Sequence, residues 1–262
     1  MPSNVPLRRL LLLLALVAGS AGADQAPFDR DAALSDGQAA VGRTVGDYRF
    51  RDDGRKPVRM HDLLGQPLVV SLIYTSCEHT CPMLTRHLAE VVDVAREALG
   101  EDSFRIATIG FDAAADTPAR MRLFARERGI DAPGWSFLST DAATVAALAR
   151  DLGFVFRAAP QGFDHLAQTT ILDGEGKVYR QVYGANFDPP ALVEPLKELV
   201  FGRRASAATV SGWVSGVRLL CTVYDPASGR YRFDYSLFVG LGVGVLTLGS
   251  VAAFIIRAWR QS

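Results

Sequence analysis

Two thiols, Cys77 and Cys81, lie four positions apart in the stretch from Ser71 to Pro82, where an apolar strand gives way to a predicted helix. On a helix, positions i and i+4 share a face, with about 5–6 Å between Cβ atoms. That spacing serves a shared soft metal ion or, after modest backbone adjustment, a disulfide. Both chemistries need thiolate, which a helix N-terminus favours by placing partial positive charge beside the sulfur. The plainer alternative is a pair of buried core cysteines. The strand-to-helix junction and Pro82 argue instead for a reactive pair.

The elements that would position this pair follow from periodicity. Residues 67–74 form a β-branched and aliphatic run of the kind buried on both faces of a sheet. The helix after it repeats apolar residues at Leu84, Leu88, Val91, Val92, Ala95 and Leu99 and stops at Gly100. Phe104 to Phe111 reads as the next strand. Thr117 then caps a helix with Pro118 at its first position, running to Gly129. Another helix, capped by Thr140 or Asp141, extends to Gly153. Residues 167–172 and 177–183 flank a four-residue loop as a hairpin, and Asp188 with Pro189 opens a last helix reaching about Val200. Strand-helix-strand units imply parallel pairing, and the hairpin adds antiparallel edges. The expected fold is therefore α/β, a thioredoxin-like mixed sheet flanked by helices, with the cysteines where its first long helix starts. It spans residues 41–202, after an extended, polar lead-in over 24–40.

Charge and the chain ends bound the setting. Lys plus Arg equals Asp plus Glu at 28 each, so no net field recruits nucleic acid. Arg8 and Arg9, the apolar run Leu10 to Ala18, and Ala21 to Ala23 have the pattern of a secretory signal peptide over 1–23, an uncleaved signal anchor being the alternative. Ser236 to Ile256 runs without a charge and, at about 1.5 Å per residue, covers about 31 Å, the thickness of a bilayer core. Gly240, Gly242, Gly244 and Gly249 would weaken a helix in water but are common within membranes. Arg257 and Arg260 follow at once, so the positive-inside rule puts residues 257–262 in the cytoplasm and the preceding domain outside. The expected location is a bacterial inner membrane, crossed once over 236–256, with the domain in the periplasm. Residues 203–235 read as a juxtamembrane connector. Within it, Cys221 is open to three readings: apolar packing, a reactive thiol or an auxiliary ligand.

Two thiolates prefer Cu(I), zinc or iron-sulfur clusters, and a neutral imidazole completes a three-coordinate copper site. Of the four histidines, His165 is the candidate, because its loop precedes the hairpin and in a thioredoxin-like topology lies beside the cysteine helix. Tyr74 to Pro82, then Gly110, Phe111, Asp112 and Asp116 to Pro118, then Asp164, His165 and Asp173, resemble in order and spacing the Sco/SenC proteins, copper chaperones for cytochrome c oxidase assembly. The resemblance covers residues 41–202. It implies one copper, as Cu(I) or Cu(II), held by Cys77, Cys81 and His165. It also implies a copper acceptor such as oxidase subunit II, and a periplasmic thiol reductant or copper donor as further partner. The family's Pro-Asp between the cysteines is replaced by Glu78 and His79. His79, Asp112 and Asp116 are candidates to orient or tune the ligands, with helix capping the alternative for Asp116.

The competing reading is a thiol-disulfide oxidoreductase in which Cys77 and Cys81 cycle between dithiol and disulfide and histidine is dispensable. A peroxidatic cysteine motif is not found, and a structural zinc site would want a fourth ligand.

Overall fold

The structure, a computed structural model, describes residues 27–205, 222–226 and 228–261. In chain order the elements are α1 (Arg30–Ala39), β1 (Arg49–Asp52), β2 (Pro57–Arg59), α2 (Met60–Leu63), β3 (Leu68–Ile73) and α3 (Thr80–Leu99). Then come β4 (Arg105–Gly110), α4 (Pro118–Glu127), β5 (Trp135–Ser139), α5 (Ala142–Leu152), β6 (Phe156–Ala159), β7 (Gly162–His165), β8 (Gln168–Leu172) and β9 (Val178–Tyr183). The last are α6 (Pro189–Ala205), β10 (Thr222–Asp225), β11 (Arg230–Phe233) and α7 (Ser236–Gln261).

The main sheet has seven strands in the order β2-β1-β5-β4-β3-β8-β9. Its centre, β5-β4-β3, is parallel, and β1, β2, β8 and β9 are joined to it antiparallel. All six residues of β3 are buried, as the aliphatic run requires. Alternation sorts the strand up to Leu72: Leu68, Val70 and Leu72, with Ile73 at the strand's end, join Met121, Phe124, Leu148 and Leu152 on one face. Val69 joins Leu84, Leu88, Val92, Leu192 and Leu196 on the other. Each such burial contributes about 1.5–3 kcal/mol, so β3 is a rigid base for the loop that leaves it toward Cys77. The mixed sheet with helices on both faces is the expected thioredoxin-like arrangement.

Several helix limits have visible causes. Thr117 caps α4, accepting from the Arg120 N–H, with Pro118 beginning the helix. Asp141, rather than Thr140, caps α5 through the Thr144 N–H. The segment read as an extended lead-in instead contains α1, capped by Asp29. Its buried face consists of Ala33 and Gly37, small residues that give almost no hydropathy signal. Strands β1, β2, β5, β6 and β7 also lie in segments read without strands. In β1 only Phe50 is fully buried, so alternation is too short to register.

Beyond α6, β10 and β11 pair as a hairpin. Tyr231 is buried and its hydroxyl donates to Glu194 Oε1 at 2.9 Å, so the hairpin leans on α6. Among the described residues one helix is long and apolar enough to cross a membrane, Phe238–Arg260, none of it buried within the protein. Residues 1–23 and Cys221 lie outside the described residues.

Candidate metal and thiol site

The cysteines meet by a route the helical spacing did not anticipate. Cys77 lies in the loop before α3, with its N–H donating to the Tyr74 carbonyl at 3.1 Å. Cys81 lies in the helix's first turn, and its N–H donates to Cys77 Sγ at 3.3 Å. The sulfur thus takes the place of a capping oxygen for a helix whose own N-cap, His79, makes no side-chain cap. Both thiols are free, Cys81 buried and Cys77 half-exposed. The Cys81 thiol donating to Cys77, helped by the Cys81 and His79 backbone N–H groups and the Tyr74 hydroxyl, lowers the Cys77 thiol to about 4 against the opposing effect of burial. Donation to that sulfur and burial push the Cys81 thiol up. The pair is therefore asymmetric, a thiolate beside a thiol.

Tyr74 connects this pair to His165. Burial and its hydrogen bond to Cys77 push the phenol up to about 12, so it stays a donor, while the Phe163 N–H donates to its oxygen. Gly162, just before Phe163, has φ +118, and a Cβ there would meet the Tyr74 hydroxyl oxygen at 2.8 Å and two of its ring carbons at 2.9 and 3.1 Å. Only glycine allows β7 to lie this close to the phenol. The Tyr74 ring stands edge-on to Phe111, Phe163 and His165, at 5.3, 5.2 and 6.0 Å between centroids. His165 ends β7, opposite Phe156, packed against Phe111 and Phe154. Its Nδ1 lies 2.8 Å from the Leu166 carbonyl. A carbonyl only accepts, so Nδ1 carries the proton and, in the neutral ring, Nε2 carries the lone pair a metal would use.

The sulfurs and this imidazole are not gathered into one ligand set. Among the described residues no three His, Cys, Asp or Glu side chains form a metal-holding group. His165 and Thr80, at the start of α3, do line one open cleft of about 450 Å3. The β6–β7 hairpin that carries the ring is a separate two-stranded sheet, outside the main one.

Asp116 acts on the cysteine loop rather than on α4. Its Oδ1 accepts from the Thr75 N–H and hydroxyl, both at 2.7 Å, and its Oδ2 from the Asp112 N–H at 2.9 Å. Burial pushes the carboxyl up, with those three hydrogen bonds holding it back. The side chain fits because Gly110 leaves room: a Cβ there would lie 2.4 Å from Asp116 Cβ. Asp112 contributes its backbone N–H, and the His79 side chain is exposed. His87, on α3, bonds through Nε2 to the Phe187 carbonyl at 2.6 Å. Sequence reasoning missed the Tyr74 hydroxyl, the aromatic surroundings of His165 and the Thr75–Asp116 clamp.

A thioredoxin-like sheet with two free thiols at the start of its first long helix defines a class of copper-handling and thiol-exchanging domains. Residues 36–200 match the family model described as SCO1/SenC, and the chain belongs to that family. It is 24% identical over 150 residues to the "SCO1 protein homolog" of Bacillus subtilis (strain 168), covering 55% of this chain and 76% of that one. Among solved structures it resembles Bradyrhizobium japonicum ScoI with copper bound, at TM-score 0.51 and 23% identity, over 61% of this chain and 99% of that one. It also resembles BsSco, described as having a disulfide switch and as a member of the Sco family of cytochrome c oxidase assembly proteins. There the TM-score is 0.53 at 21% identity, over 61% of this chain and 94% of that one. At these identities the two structures speak for the fold alone.

Proposed function

We propose that this chain is a membrane-anchored copper chaperone for cytochrome c oxidase assembly, holding one copper ion through Cys77, Cys81 and His165 for delivery to an acceptor such as oxidase subunit II. The observation that carries it is the paired sulfurs, one favoured as thiolate, across Tyr74 from an imidazole whose Nε2 lone pair is free to coordinate. Two thiolates and an imidazole suit Cu(I) in a three-coordinate site. The ring reaches the sulfurs by movement of the β6–β7 hairpin. The α7 helix anchors the domain, and Arg257 and Arg260 orient it with the domain in the periplasm.

The full chain in detergent, given Cu(I) under reducing conditions, should bind one equivalent with two sulfur and one nitrogen scatterers by X-ray absorption. Cys77→Ala, Cys81→Ala and His165→Ala should each abolish tight binding. Undiminished binding by the His165 variant removes the histidine from the mechanism.

The asymmetry of the two thiols favours a second reading, reduction of the acceptor's oxidised copper-ligand cysteines. Cys77 thiolate would attack the acceptor disulfide, expelling one acceptor thiolate. Cys81, once deprotonated, would then displace the second acceptor sulfur from the mixed disulfide, leaving a Cys77–Cys81 disulfide and two acceptor thiols. A His165→Ala variant that retains this reduction but loses copper would decide for it.

A further inference from the structure

Asp116 also lines a second cleft, of about 600 Å3, distinct from the one His165 borders. It opens at the carboxyl end of β5, whose last residue is Ser139, and at the capped starts of α4 and α5, marked by Thr117 and Asp141. Crevices at the carboxyl ends of parallel strands are where open α/β sheets bind ligands. The cysteine loop leaves β3 at the same end of the sheet, since β3, β4 and β5 run parallel.

Three guanidinium groups border this cleft, Arg49 and Arg51 from β1 and Arg55 from the β1–β2 turn. All three are exposed, and among the described residues none has a side-chain hydrogen bond or ion pair. Their neighbours differ: Arg59 pairs with Asp47 and Arg122 with Asp53. The cleft's own carboxylates are engaged, Asp116 by Thr75 and Asp112, and Asp141 through both oxygens by Thr144. Arg55 has φ 69, a conformation rare for a residue with a side chain, so the turn that projects it is held against its own preference. Three arginines without an internal partner thus face two carboxylates here and leave the cleft net positive, in a chain whose 28 basic and 28 acidic residues cancel overall.

The spacing of the charges points to the occupant. Arg49 and Arg51 lie on one face of a strand, about 7 Å apart along it. Alternate side chains of an extended peptide repeat at the same distance, and a guanidinium fork matches a carboxylate with two parallel hydrogen bonds. A small free anion would want donors converging on one point, whereas these are spread along β1 and its turn. We propose that this cleft docks an extended, carboxylate-rich peptide segment of the protein that exchanges copper or electrons at Cys77 and Cys81. The segment would seat beside Asp116, whose clamp on Thr75 lies two residues before Cys77. The identity of the partner rests on the function proposed above; the charge and shape of the cleft do not.

The test uses the full chain in phosphatidylcholine nanodiscs and a fluorescent peptide of alternating glutamate and serine, followed by anisotropy at low salt. Binding should be saturable and weaken about tenfold in the Arg49→Ala/Arg51→Ala/Arg55→Ala variant, and it should fall steeply with added salt. The corresponding triple lysine variant, which keeps the charge but not the fork, should bind more tightly than the alanine variant and less tightly than wild type, and serves as the check on folding. Cys77→Ser/Cys81→Ser should bind the peptide like wild type while losing copper, which separates docking from exchange. Equal peptide binding by wild type and the alanine variant overturns the proposal, as does equal loss in the lysine and alanine variants. Displacement by inorganic phosphate at concentrations similar to the peptide's own would make this a small-anion site and overturn it as well.

Discussion

Replacing Tyr74 by Phe removes one oxygen from the site and keeps the ring that packs against Phe111, Phe163 and His165. The hydroxyl donates to Cys77 Sγ and accepts from the Phe163 N–H. A hydrogen bond to a charged group contributes about 1.5–3 kcal/mol, which at about 1.36 kcal/mol per pKa unit corresponds to about one to two units. Cys77 is half-exposed, so water replaces part of the lost donor and the lower end applies. From about 4 in the native protein, the Cys77 thiol should rise by about one unit. The measurement is the pH profile of iodoacetamide alkylation of the reduced protein, with thiolate ultraviolet absorbance as an independent readout. Cys81→Ala removes the largest of the groups lowering Cys77 and should shift the midpoint further than Tyr74→Phe. The same substitution at Tyr74 leaves the Phe163 N–H without its acceptor, so exchange of that amide with deuterium should speed up. An unchanged alkylation midpoint in Tyr74→Phe, with the ring still packed, would refute the account of how this thiolate is held.

Gly110→Ala places a Cβ within 3 Å of three buried Asp116 atoms, an overpacking that costs about 1–3 kcal/mol. It should also release Thr75, so urea melts should show the destabilisation and Cys77 alkylation should become less selective over Cys81. For pH, the Cys77 thiol lies well below its ordinary 9.0 in the folded protein, so between these values the unfolded chain binds more protons. Stability from this group is present above about 9 and is lost as pH falls toward about 4. Urea melts of the reduced protein should therefore gain less stability from about pH 5 to about pH 8 in Cys77→Ser than in wild type. Burial of Asp116 acts in the opposite direction, which is why the comparison is with the variant and not with wild type alone.

Apolar runs or a repeating apolar face located β3, α3, β4 and α7, while capping and turn residues located α4, α5, the β8–β9 hairpin and α6. Elements that bury little were not legible. Helix α1 hides Ala33 and Gly37, and β2 buries none of its three residues fully. The site shows the same division. Cys77 and Cys81 stood out by residue type and spacing, and His165, one of four histidines, by its loop and the family resemblance. Tyr74 and Asp116 did not reveal their roles, because those roles depend on contacts 41 residues apart in one case and on a close approach at Gly162 in the other. One signal was present: Gly110 closes the apolar run of β4, where a small residue needs a packing reason.

The way Cys77 is held has a consequence for copper entry under the proposed function. Its sulfur receives hydrogen bonds from the Cys81 and His79 N–H groups and from Tyr74, and Tyr74 in turn receives one from β7. If the β6–β7 hairpin moves to bring His165 to the sulfurs, the Phe163–Tyr74 bond is the connection that must yield. The phenol would then be free to turn away from Cys77, and a bound metal would compensate the thiolate charge in its place. Without copper the hydroxyl keeps the nucleophile charged and oriented. Under the proposed function, thiol exchange and metal capture would draw on the same sulfur, and Tyr74 is the side chain whose hydrogen bonds would distinguish them.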